Sequence, residues 1–196
     1  MARSYRMNKR AERQDETRQR IVEAAVQLHQ TIGPAATTFT DIARLADVGR
    51  VTVYRHFADE ASLARACSGH YFAQHPPPDP ERWASIAEPG ERLRAALTDS
   101  YRYHRSTEAM MTRALADSRE HPVMRPYHAH WRRAADVLTT PFRARGRRRT
   151  LLRAAIGLAI SFDTWRTLVR DQGLADDQAV DVAMRLALEP PPTRRG

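Results

Sequence analysis

Between Ala36 and Phe57 the chain reads ATTFTDIARLADVGRVTVYRHF, and its second half gathers hydroxyl, guanidinium and imidazole groups. Thr52, Tyr54 and His56 can donate hydrogen bonds to phosphate oxygens, and Arg50 and Arg55 can reach a phosphate or a guanine edge. Arg44 can add a backbone contact, and Thr38 stands at the start of the same segment. Val51 can touch a thymine methyl, face water or face the core. Chemistry of this kind grips a nucleic-acid backbone and reads base edges in a groove.

Such side chains need short helices to present them. Thr38 precedes an apolar-periodic run and Asp41 follows three positions later, the pattern of a capping box. Ile42, Ala43, Leu45 and Ala46 give that helix one apolar face. Asp47, Val48 and Gly49 interrupt it, with Gly49 free to take positive φ or to cap the next helix. The second helix runs from about Arg50 to His56, with Val53 and Phe57 inward. Two short helices around a tight break form a helix-turn-helix, whose second helix enters a DNA major groove.

The stretch from about Thr17 to Leu63 resembles the tetracycline-repressor family of bacterial transcription regulators. The resemblance rests on the spacing of Thr38, Ile42, Ala43, Ala46, Val48, Thr52, Tyr54, His56, Phe57 and Leu63. In that family the position of Asp47 is usually glycine, that of Gly49 usually serine, and that of Glu60 often a lysine that helps hold DNA phosphate. The resemblance therefore assigns phosphate contacts to Thr52, Tyr54 and His56 and none to Glu60. It also implies a homodimer built through a four-helix interface.

The chain has 196 residues, a net charge of +9 and a single cysteine, Cys67. That length suffices for one domain or two small ones. The charge suits a polyanionic partner. Lys9 and Arg10, with Arg3, Arg6 and Arg13, load an N-terminal arm that either wraps DNA or stays a solvated tail. A second basic run, Arg143 to Arg149, reads as a solvated loop. One cysteine allows no internal disulfide and fits a reducing cytoplasm, and Cys67 reads as a packing residue. No apolar run of about 18 residues is present to span a membrane, and the N-terminus lacks the apolar region of an export signal.

Helical periodicity continues to the end of the chain. A first helix is expected from Asp15 or Glu16 to Thr31, a fourth from an Asp59 cap to Gln74, and a stop at His75 to Pro80. Further helices are expected over Gly90–Ser106, Thr107–Glu120, Tyr127–Thr140, Thr150–Arg170 and from Asp176 onward. Tyr101, His104, Met110, Met111, Tyr127, Trp131, Phe162 and Trp165 suit the wall of a pocket for an amphipathic molecule, or an ordinary helical core. Leu152, Ile156, Ala159 and Ile160, with Val180, Ala183, Met184 and Ala187, form the expected dimer face, beside a further apolar stripe through Leu151, Ala155, Leu158, Phe162, Trp165 and Val169; the alternative is that both stripes belong to a monomer core.

Enzyme chemistry is not expected: there is no Gly-rich phosphate loop, no Gly-x-Ser-x-Gly elbow and no His-Glu-x-x-His. His128 and His130 lie two apart and diverge on a helix, so neither a metal nor any other cofactor is expected. The expectation is thus an all-α protein. It comprises a helix-turn-helix domain with its basic arm (1–61), a larger helical effector and dimerisation domain (62–189), and a disordered tail (190–196). It would work in the cytoplasm as a ligand-responsive repressor, binding a palindromic operator as a dimer. The alternative is a helical ligand-binding or interaction module that has lost DNA binding.

Overall fold

The computed structural model describes residues 2–188, without the side chains of residues 2–8 and of Arg10. The expected tail therefore lies outside the described residues. All described elements are helical.

The chain divides into two compact units: Met1–Pro76 with Ala109–Met124, and Pro77–Glu108 with Arg125–Gly196. This differs from the expected division at residue 61. The reason lies in the fourth helix, α4 (Glu60–Gln74), whose Leu63, Cys67 and Tyr71 are all buried. It packs on the first helix, α1 (Ala2–Thr31), and so belongs wholly to the first unit.

In unit 1, α1 begins at Ala2 and not at the expected Asp15, taking in the arm. Nothing between Ala2 and Asp15 is glycine or proline, so no residue type there ends a helix. Ile21, Val22, Ala24 and Ala25 form its buried stripe. Gly33, at φ +92°, turns the chain after it. A Cβ at Gly33 would lie 2.6 Å from Asp117 Oδ2, and the same oxygen accepts a 3.0 Å hydrogen bond from the Ala35 N–H. That close approach, with positive φ, requires glycine. Then come α2 (Phe39–Leu45), α3 (Arg50–His56) and α4. Asp59 caps α4 through a reciprocal box with Ser62, in line with the expected cap.

Unit 2 opens with α5 (Pro80–Ala84), which the proline run conceals: Asp79 caps it, Pro80 occupies its first turn, and Trp83 is buried. Next, α6 (Pro89–Ser118) is one helix where two are expected. Ser106 and Thr107 do not break it; both hydroxyls fold back onto the Tyr103 carbonyl, at 2.9 and 2.8 Å. Its residues up to Glu108 belong to unit 2 and those from Ala109 to unit 1. A 3₁₀ turn (Pro122–Met124) completes unit 1.

Unit 2 resumes with α7 (Arg125–Thr139), α8 (Gly146–Ala159), α9 (Phe162–Arg166), a π turn (Thr167–Asp171) and α10 (Asp176–Leu188). The expected single helix over Thr150–Arg170 is therefore three pieces. Ser161 caps α9 by accepting from the Thr164 N–H, which ends α8. The break frees two carbonyls. Tyr101 Oη donates to that of Ala159 at 3.0 Å, and His104 Nε2 to that of Ile160 at 2.9 Å. The basic run starts in the left-handed region at Arg143 and continues into the first turn of α8, and Arg143, Arg145, Arg147, Arg148 and Arg149 are all exposed.

Candidate nucleic-acid interface

The interface residues sit on α2, the turn and α3. Thr38 caps α2: its hydroxyl accepts from the Asp41 N–H at 3.1 Å and donates to Asp41 Oδ2 at 2.6 Å. The Thr38 hydroxyl holds the Asp41 carboxyl below the usual carboxylate range. Arg44 is exposed and pairs with Asp41 Oδ1 at 2.8 Å, a solvated pair of small energetic weight that a phosphate can displace.

Of the two roles open to Gly49, the turn uses the cap. Gly49 has φ −69° and serves as the N-cap of α3, while Asp47 takes the left-handed conformation at φ 52°. A carboxylate side chain is tolerated there, at some cost relative to glycine. A Cβ on Gly49 would meet nothing nearer than Thr52 Oγ1 at 3.9 Å. The cap therefore needs no glycine.

Val53 and Phe57 are buried and fix α3 against the unit. Arg18 on α1 places its guanidinium carbon 4.7 Å from the centre of the Phe57 ring. The outward residues follow from that anchoring by helical geometry. Arg50, Val51, Tyr54 and Arg55 are exposed, and Thr52 and His56 are half-buried. Val51 is 66 % exposed, which removes it from the core. Arg50 Nη2 donates to Tyr54 Oη at 3.3 Å, with its guanidinium carbon 5.6 Å from the ring centre. Tyr54 also packs on Phe39 of α2, the ring centres 4.9 Å apart. The Tyr54 ring is thus braced on both sides, and its hydroxyl, an acceptor toward Arg50, can still donate to a phosphate. Lys9 is exposed on α1; the Arg10 side chain lies outside the described residues.

The other two expected sets land differently. Tyr101, His104, Tyr127, Trp131, Phe162 and Trp165 are buried together in unit 2, and Met110 and Met111 belong to unit 1. His104 lies at the centre of the aromatic group, 4.9 Å from Trp131 and 5.6 Å from Phe162 between ring centres. Burial pushes the His104 imidazole down to about 4. Its Nδ1, the Trp131 Nε1 and the Ser100 hydroxyl are buried without hydrogen-bond partners.

For the dimer face, Ile156, Ala159, Ile160, Val180, Ala183 and Ala187 are buried within unit 2, and only Leu152 and Met184 are half-exposed. Among the described residues of unit 2 the exposed large apolar residues are Leu151 and Leu158 on α8 and Leu186 on α10. The outward stripe of α8 is thus the one through Leu151 and Leu158, and the expected one faces inward. Both stripes are apolar, so periodicity alone does not tell which one is covered. The available signal is the polar flank beside Leu151, where Arg147, Arg148 and Thr150 are all exposed.

Among the described residues no group of three or more His, Cys, Asp or Glu is placed to hold a metal, and no helix is long and apolar enough to cross a membrane.

Comparison with known proteins converges on the same segment. Residues 21–67 match the family model of bacterial regulatory proteins of the tetR family. The chain is 46% identical over 55 residues to the HTH-type transcriptional regulator TtgR of Pseudomonas putida, covering 28% of this chain and 26% of that one. The matched stretch thus spans about a quarter of the length of the curated relatives. Over most of its length the chain resembles solved structures in fold. One is a TetR-like transcriptional regulator from Rhodococcus sp. RHA1 (TM-score 0.64, 18% identity, 87% of this chain and 93% of that one). Another is AibR in complex with isovaleryl coenzyme A and operator DNA (TM-score 0.64, 18% identity, 89% and 99%). The helix-turn-helix segment is thus similar in sequence to the tetR family of bacterial regulatory proteins, and the chain over most of its length is similar in fold to solved structures.

Proposed function

We propose that the protein is a ligand-responsive transcriptional repressor that binds an inverted-repeat operator as a homodimer. The observation that carries the reading is the outward row on α3: Arg50, Val51, Tyr54 and Arg55 exposed around an aromatic ring braced by Phe39 and Arg50. Arg50 and Arg55 supply charge and bidentate donors, Tyr54 a phosphate donor, and Val51 an apolar tip for a thymine methyl. Thr52 and His56 add phosphate contacts, and Arg44 and Thr38 flank them on α2. Lys9 and Arg10, on the extension of α1, add sequence-independent attraction.

The dimer is supported by Leu151, Leu158 and Leu186, exposed on the neighbouring helices α8 and α10. Leu151 and Leu158 are seven residues apart and share one face. Such a face is covered by an identical copy about a two-fold axis. Two recognition helices so related would enter major grooves about 34 Å apart. For an effector, the unpartnered His104 Nδ1 and Trp131 Nε1 in unit 2 offer one acceptor and one donor inside an aromatic cluster. An effector releases DNA to the extent that it binds the DNA-incompetent state more tightly.

Selection of bound fragments from a random DNA pool tests this reading. Enrichment of an inverted repeat with half-sites one helical turn apart supports it. Recovery of no sequence over several rounds at low salt would favour instead a helical binding module without operator recognition.

A further inference from the structure

Unit 1 contains a cavity of about 310 Å³, distinct from the aromatic cluster of unit 2. Its apolar wall includes Phe39 and Ile42 of α2, Cys67 and Tyr71 of α4, and Met110 and Met111 of α6. Its volume is that of a small-molecule site, for which about 300–1,000 Å³ is usual. The residues that would have closed it are small: Ala64, Ser68 and Ala114 all face it. Methionine walls adapt to an occupant by changing rotamer at little cost.

The polar groups define what it accepts. Neither lysine nor arginine lines it, although the chain carries +9 overall. Burial pushes the Cys67 thiol and the Tyr71 phenol up to about 12, so both stay neutral. Burial also holds the His29 imidazole below its ordinary value, against the opposing pull of the Asp117 carboxylate. Glu60, exposed at the start of α4, is the one carboxylate of the lining. A carboxylate or phosphate ligand would meet no counter-charge there, whereas a neutral or cationic lipophile meets apolar walls and an acidic rim.

Position gives the cavity a consequence. Phe39 is at once a wall residue and the packing partner of Tyr54 on α3, at 4.9 Å. An occupant that displaces Phe39 moves the ring that braces the recognition helix.

We propose that this cavity is a binding site for a small lipophilic molecule bearing no negative charge, and that its occupancy lowers DNA affinity from within the DNA-binding unit, through Phe39 and Tyr54. The second half rests on α3 being the DNA-contacting helix; the first half does not.

The test uses the full chain and the neutral fluorophore N-phenyl-1-naphthylamine. The wild type is expected to bind one dye per chain, and Ala114→Phe, which fills the cavity from α6, to bind it at least tenfold more weakly. Ala64→Phe fills it from α4 and decides the matter should Ala114→Phe melt early. Dodecyltrimethylammonium is expected to displace the dye and laurate, its anionic counterpart, to leave it in place. Absence of dye binding to the wild type, unchanged binding in both folded variants, or equal displacement by laurate would overturn the site. Saturating dye is expected to weaken binding of a selected DNA fragment at least tenfold in the wild type and not in Ala114→Phe. Unaltered DNA affinity in the dye-loaded wild type would overturn the coupling alone. Failure of the DNA-binding reading itself appears separately, as no DNA bound before any dye is added.

Discussion

At the scale of the residue, the recognition surface depends on a few groups whose roles separate cleanly. Tyr54→Phe removes the proposed phosphate donor and keeps the packing on Phe39. It should weaken DNA binding by about 1–2 kcal/mol with the melting temperature unchanged; titration of a selected fragment beside a thermal melt checks both halves. Asp47 occupies a left-handed position that glycine takes without strain. Asp47→Gly should therefore stabilise the fold by about 0.5–1 kcal/mol, read as a higher denaturation midpoint with an unchanged slope. His104 is expected to contribute to acid sensitivity. Its imidazole is fully buried, and desolvation holds it near 4 against 6.5 in the unfolded chain. The unfolded state then binds more protons between those values, so stability is complete above pH 6.5 and is lost as pH falls toward 4. The loss reaches about 3 kcal/mol, and His104→Gln should flatten that part of the stability–pH curve, as measured by denaturant unfolding.

At the scale of the element, most of the helix-turn-helix is legible in the sequence. Caps, apolar spacing and the break between Ala46 and Arg50 are local signals, and α2, α3 and α4 begin and end within a residue or two of where those signals put them. The positive φ that suits Gly49 belongs to Asp47 instead, because the glycine is spent on the extended cap of α3. Non-local effects hide the rest. The α8–α9 break at Ser161 follows a serine cap that looks like any mid-helix serine until Tyr101 and His104 supply donors for the freed carbonyls. The fusion of two expected helices into α6 depends on Ser106 and Thr107 bonding backward, which sequence leaves open. Which stripe of α8 faces inward is likewise undecidable from periodicity, since both are apolar.

At the scale of the whole molecule, unit 1 carries the outward row of α3 proposed to read DNA, and unit 2 carries the exposed Leu151, Leu158 and Leu186 proposed to meet a second copy. Leu158→Glu places a charge on that face, where the leucine is 63 % exposed and the monomer core is untouched. It should yield a folded monomer by sedimentation, with DNA affinity reduced to that of one half-site. The likeness to the tetR family is carried by residues 21–67, and the fold likeness extends over most of the chain; the proposed effector, operator and assembly rest on the arrangement of this chain's own side chains. The most direct test of the central claim is sedimentation of the protein with a selected inverted-repeat fragment, beside the Arg50→Ala/Arg55→Ala double variant. The account predicts two chains per fragment for the wild type, and a variant that melts normally yet leaves the fragment free. One chain per fragment, or full binding by the folded variant, would contradict it.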